Sequence, residues 1–220
     1  MSAPDRSGEA LARLDEITRR LRVECPWDRE QDERTIVPHT VEEAYELADA
    51  ANRGDDRKLL DELGDVLFQV VFLSLLLEER GEGDFAAVAE HCRQKLIRRH
   101  PHVFGDVDAS TAAEVLRNWD EIKRGEEGRE PGIFGDVPEN LPAPLYARKL
   151  LRRASSAGRP IEPMPLADHV DAGDFDSVGD LLLAAVARAR EVKVDPELAL
   201  RSAADRLREK IEQEAGPHSE

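Results

Sequence analysis

Two short acidic runs carry the residue types best suited to chemistry in this sequence: EEAYE, holding Glu42, Glu43 and Glu46, and ELGD, holding Glu62 and Asp65. At about 100° per residue, positions 43 and 46 fall on one side of a helix, and so do positions 62 and 65. Oxygen-rich walls of this kind suit hard divalent cations. Carboxylates gathered without counterions repel one another strongly in a partly desolvated place, and bound cations relieve that repulsion. Magnesium keeps several waters and takes few protein carboxylates alongside substrate phosphates, so two or more ions per site are expected. The plain alternative is a solvated helix face. Against it, Glu62 and Asp65 flank the apolar arc of Leu59, Leu63, Val66 and Val70 instead of opposing it. That position predicts partial burial, where unpaired acids are expensive.

The elements that must position these acids are helices. Charged residues make up 35% of the chain and aromatic residues 5%, and long stretches are rich in Ala, Leu, Glu and Arg, a composition that favours an all-α fold. Leu11, Leu14, Ile17 and Leu21 recur at helical spacing over 9–23, after which CPWDREQDERTIVP interrupts the pattern. A second helix is expected over 38–52 with Pro38 in its first turn, and a third, the most apolar, over 56–79. Gly54, Asp55 and Asp56 form the turn between them. A turn that short folds the two helices into an antiparallel hairpin, in which Glu46 faces Glu62 and Glu43 faces Asp65. Further helices are expected over 84–99, ended by His100 and Pro101, and over 110–123.

From 126 to 144 the chain turns rich in Gly, Pro and charge and reads as a linker. Beyond it come a short basic helix over 145–153, an irregular stretch, and helices over 176–191 and 195–213. DELGDVLFQVV, beginning at Asp61, is similar to DSVGDLLLAAV, beginning at Asp176, which indicates an internal repeat. In the second copy Ser177 stands where Glu62 has its counterpart, Asp180 alone corresponds to Asp65, and no EExxE run precedes them. The expected organisation is a catalytic helical domain over 1–125, a linker over 126–144, and a degenerate repeat over 145–220 that serves packing or dimerisation.

Charge and cysteine content narrow the classes. A net charge of -16 opposes binding to long nucleic acids, which depends on cationic side chains displacing counterions. Cys25 and Cys92 form no close pair, so neither a disulfide framework nor a thiolate metal site is indicated. No apolar run reaches the length of a signal peptide or a membrane span, and the expected location is the cytoplasm, with no membrane partner.

The acidic signature EExxE followed by ExxD, together with CPWDREQ at 25–31, KLIRRHPHVFGD at 95–106 and NWDEIK at 118–123, resembles the MazG family within the all-α nucleoside triphosphate pyrophosphatase superfamily. The resemblance implies a helix bundle completed by homodimerisation. It also implies hydrolysis of nucleoside triphosphates between the α and β phosphates, giving a monophosphate and pyrophosphate, with Mg2+, or Mn2+, as cofactor. On matching positions it assigns Glu43, Glu46, Glu62 and Asp65 as metal ligands and Glu42 as a neighbouring group that either orients water or supports the ligands. Lys95, Arg99, Trp119 and Lys123 match basic and aromatic positions associated with the nucleotide. The chemistry of those residues agrees: Lys95 and Arg99, one turn apart, can neutralise a triphosphate, and Trp119 offers a stacking surface whose face Lys123 shares. Each also has a simpler reading, since cations suit a helix C-terminus and a tryptophan suits a core. His100 and His102, either side of Pro101, read as capping or packing groups, and Trp27 and Asp28 as residues that lock the loop before the second helix. Broad nucleotide specificity is expected. The alternatives are an enzyme restricted to dUTP, dCTP or a phosphoribosyl nucleotide, and a helical interaction module that does no chemistry.

Overall fold

The computed structural model describes residues 3–126, 132–135, 137–138, 140–159 and 174–215, and among them every regular element is helical, with no strand. The chain forms two compact units, Met1–Leu96 and Ile97–Glu220.

In the first unit α1 (Ala3–Glu24) is followed by the five-residue α2 (Pro26–Glu30) and by the hairpin of α3 (Glu33–Arg53) and α4 (Asp56–Glu79). α3 begins five residues before the expected start at Pro38. The reason is local: the Asp32 carboxylate accepts the Arg34 and Thr35 backbone N–H groups at 2.8 and 2.9 Å, and the Thr35 hydroxyl accepts the Asp32 N–H at 2.9 Å. That reciprocal cap satisfies the orphan donors of a helix start. Pro38 therefore lies inside the helix, where it omits one backbone hydrogen bond. The expected interruption before α3 contains α2, which Arg22 fastens in place. Its guanidinium donates to the backbone oxygens of Asp28 (2.5 Å) and Gln31 (3.0 Å) and pairs with Glu79 at the far end of α4.

Gly54 ends α3 in the left-handed conformation at φ 68°, and its N–H returns to the α3 carbonyls of Ala50 and Ala51. Asp55 then caps α4 by accepting from Arg57 N–H and Lys58 N–H. Two caps thus meet at the turn, and the helices leave it antiparallel. Ile36 of α3 and Phe72 and Leu76 of α4 form a buried cluster with Phe68 and Leu73 against it. α1 packs on α4 as well, and Val71, Ser74 and Leu75 are buried in the same stretch. Nearer the turn the burial is confined to one stripe. Glu62 and Gln69 are covered there, whereas Leu60, Leu63 and Val70 are exposed. The arc expected to face the core is covered only in part, with Leu59 and Val66 half-buried and Leu63 and Val70 exposed.

α5 (Phe85–Arg99) closes the first unit and ends in the second. The second unit continues with α6 (Pro101–Phe104), α7 (Ala112–Arg124), α8 (Ala143–Ser156), α9 (Phe175–Glu191) and α10 (Pro196–Ala215). α8 is the hub, packed on α7, α9 and α10, with Leu151, Ala154, Ala184 and Val186 buried. Two ion pairs fasten it: Arg152 to the buried Asp120 of α7 at 2.6 Å and Arg148 to Asp195 at 2.5 Å.

Candidate active site

The hairpin brings carboxylates from two helices to one place. Oxygen atoms of Glu43, Glu62 and Asp65 all lie within 4.8 Å of one another, the one such group of His, Cys, Asp or Glu side chains found among the described residues. Glu62 is buried at 4% exposure, Glu43 is half-buried and Asp65 is exposed. Burial and mutual repulsion both act on the pair that is covered. The Glu43 carboxyl is pushed above its usual range by desolvation first, then by the charges of Asp65, Glu46, Glu62 and Glu42. Glu62 is raised by desolvation first and then by Glu46; Lys58 offsets part of this, while Asp65 and Asp61 add to it. The strongest acidic neighbour is therefore Asp65 for Glu43 and Glu46 for Glu62, the facing pairs of an antiparallel hairpin turning at Gly54. Glu46 is exposed and lies outside the 4.8 Å group, although its field reaches both covered acids. Glu42 is exposed too and stands 3.3 Å from His39 Nδ1.

This donor set suits a hard divalent cation. It consists of oxygens only, drawn from two rigid helices, and two of its members are held in a state that positive charge would relieve. The Lys58 ammonium, one turn before Glu62, stands 3.7 Å from its carboxylate. An open groove of ≈ 600 Å³ runs along the start of α4, lined among others by Lys58, Asp61, Gly64 and Asp65, so that Asp65 alone of the three converging acids borders it.

The basic and aromatic residues singled out in the sequence are distributed over the two units. Lys95 is half-buried on α5 in the first. Arg99 and Trp119 come together in the second, with the guanidinium carbon 5.8 Å from the indole centroid. Arg99 is buried, and its Nε and Nη2 donate to Glu126 at 2.9 and 2.5 Å. Lys123 is half-buried one turn beyond Trp119. His100 meets Trp119 edge-on at 4.9 Å and His102 at 5.6 Å, which is a packing role. Trp27 is half exposed against His39, and Asp28 is buried.

Three residues of structural weight escaped the sequence reading. Arg22 ties α2 to α4, Glu126 holds Arg98 and Arg99 together, and Asp120 pins α7 to α8. Only Asp120 stood inside a recognisable motif, NWDEIK. Ser177, the residue at the Glu62 position of the second repeat, donates its hydroxyl to the Asp174 carbonyl in the first turn of α9. The stretch 160–173, where a counterpart of α3 would have to lie, is outside the described residues.

The hairpin lies within a stretch of the chain that matches known proteins. Residues 31–104 match the MazG nucleotide pyrophosphohydrolase domain, a span that holds α3, α4 and α5 entire. The chain is 37% identical to the nucleoside triphosphate pyrophosphohydrolase of Escherichia coli K12, over 90% of this chain and 84% of that protein. It is 35% identical to the nucleoside triphosphate pyrophosphohydrolase/pyrophosphatase MazG of Thermotoga maritima, over 85% and 77%. With the nucleoside triphosphate pyrophosphohydrolase of Mycobacterium tuberculosis the identity is 33%, over 75% of this chain and 51% of the other.

Proposed function

Because the chain belongs to the MazG family and is a nucleoside triphosphate pyrophosphohydrolase, converting nucleoside triphosphates to monophosphates and pyrophosphate, we propose that this hydrolysis takes place on the α3–α4 hairpin. Glu43, Glu46, Glu62 and Asp65 hold Mg2+ there, with Mn2+ as a substitute. The observation that carries the assignment is the convergence of Glu43, Glu62 and Asp65 within 4.8 Å, with the two covered carboxyls raised by burial and by one another. When bound, divalent cations at such a site polarise a phosphoryl oxygen and make a water nucleophilic at neutral pH.

The chain's own contribution is position and charge. Glu62 sits where water is excluded, and Asp65 and Glu46 are open to solvent on the side from which a nucleotide enters. Glu42, exposed beside the cluster, orients the attacking water. Lys95, on the same unit as the hairpin, supplies positive charge to the triphosphate; Arg99, Lys123 and Trp119, which lie in the second unit, are the further nucleotide-binding candidates, Trp119 as an aromatic face for a base. A broad range of nucleotides fits this reading, because charge and stacking recognise features that all of them share. A substrate-restricted enzyme would show itself in a panel assay as turnover of one nucleotide, such as dUTP, far above the rest.

The exposed apolar side chains Val37 and Val41 on α3 and Leu60, Leu63 and Val70 on α4 support a homodimer in which a second copy covers the hairpin. The region 145–220 acts as a structural or dimerisation element without a metal site of its own, and 1–125 as the catalytic region. No helix among the described residues is long and apolar enough to cross a membrane, and the enzyme's place is the cytoplasm, with its triphosphate substrates. The test is pyrophosphate release from mixed nucleoside triphosphates with Mg2+. Glu43→Ala and Glu62→Ala abolish it and Ser177→Ala leaves it intact; loss of turnover in Ser177→Ala alone would move the active site to the second repeat.

A further inference from the structure

The hairpin carries a cation of its own on the face of its acids. Lys58, Glu62 and Asp65 are spaced four and three residues apart on α4, so their side chains stand above one another. Lys58 Nζ rests 3.7 Å from Glu62 Oε1, while its side chain is 42% exposed. Lys58 also lines a groove along the start of α4, which of the candidate ligands Asp65 alone borders, together with Asp55, Asp61 and Gly64. Arg57 lines it as well, but it sits about 100° round the helix from Lys58 and off the face of the acids. A lysine ammonium is a compact charge on a flexible four-carbon stem, free to change partners.

Two charge states of the site make opposite demands on that ammonium. With the carboxylates bare, Lys58 is drawn to Glu62. With them committed to divalent cations, the attraction is cancelled, and the uncompensated charge nearby is that of the triphosphate. We propose that Lys58 is a phosphate-binding residue of this active site, whose ammonium leaves Glu62 for the groove and engages the triphosphate once the carboxylates are neutralised. The proposal rests on the reading that Glu43, Glu62 and Asp65 hold the cations. Lys58 then competes with metal in the absence of nucleotide and assists the nucleotide in its presence.

Lys58→Gln and Lys58→Arg separate these effects by sign. Mg2+ binding is measured by calorimetric titration of the nucleotide-free protein, and KM and kcat by pyrophosphate release at saturating Mg2+. For Lys58→Gln the cation binds about threefold tighter, as removal of one nearby, partly screened charge predicts. Its KM for the nucleoside triphosphate rises about tenfold, the scale of one charge-assisted hydrogen bond lost. Lys58→Arg, which keeps the charge, restores KM to within about twofold of wild type on the same grounds. An unchanged KM in Lys58→Gln overturns the proposal, and so does a joint weakening of metal and nucleotide, which a structural role would give. Glu62→Gln, run beside them, tests the reading underneath: if it keeps both Mg2+ binding and turnover, the carboxylate site itself is misplaced and the role of Lys58 falls with it.

Discussion

Replacing Glu62 with glutamine removes one charge from the most covered position of the acidic cluster and keeps the shape of the side chain. In the metal-free protein this change is stabilising or neutral, because Glu62 is held above its usual carboxylate range by desolvation and by Glu46. The one attraction lost is the pair with Lys58 at 3.7 Å, weak at that length. The sign follows from linkage. Acids whose folded pKa is raised contribute stability fully below the unfolded value, near 4.5, and lose it as pH climbs through the folded value. The metal-free wild type therefore loses stability from the Glu43 and Glu62 carboxyls on going from pH 4 to pH 7, and Glu62→Gln loses less. Cations act the other way. At a hundredfold excess over its Kd, a ligand bound only by the folded state stabilises it by about 2.7 kcal/mol, which raises Tm by about 5–10 °C for a chain of this length. Scanning calorimetry with EDTA or Mg2+ at pH 5 and pH 7.5 reads all of this. The wild type gains several degrees from Mg2+ at pH 7.5 and fewer at pH 5, whereas Glu62→Gln starts as high or higher in EDTA and gains little. A metal-free Glu62→Gln that melts well below wild type, with its Mg2+ gain intact, would refute the reasoning.

Phe72→Ala empties a fully buried position between α3 and α4 and costs about 3–5 kcal/mol by urea unfolding; a loss below about 1 kcal/mol would mean that the cluster does not hold the hairpin. Asp32→Ala removes the α3 cap and costs about 1 kcal/mol in the same assay. Asp120→Ala strips the buried partner of Arg152 and costs about 1–3 kcal/mol at neutral pH. Although burial alone would raise it, the Asp120 carboxyl is held below its usual range by Arg152, Ser156 and Arg153, so its contribution is present above pH 4 and the difference between variant and wild type shrinks as pH falls. Glu126, held down to about 2 by Arg99 and then Arg98, behaves alike: the destabilisation of Glu126→Gln is full above about pH 4.5 and fades toward pH 2 in acid titrations followed by circular dichroism.

The sequence by itself determined the helices, the hairpin and the acids that share its faces. α4 runs over the expected 56–79, because Gly54 can take a positive φ and Asp55 can cap, and both properties belong to the residue types. The spacing of Glu43 to Glu46 and of Glu62 to Asp65 fixes a common face through helical geometry alone, and the family signature was legible in the same residues. Local chemistry also set the start of α3 at Glu33, because the Asp32–Thr35 cap outweighs the preference of Pro38 for a first helical turn.

Burial was decided by the tertiary structure alone. Glu62 and Asp65 look equivalent in the sequence, yet one is covered and the other open. Leu63 and Val70, which read as core, are uncovered. The contacts of Arg22 with Glu79 and of Asp120 with Arg152 join residues far apart in the chain. Whether a side chain meets water or protein depends on helices that arrive from distant sequence. Periodicity records the direction of a side chain, while its neighbours, and with them its protonation and strength as a ligand, come from packing.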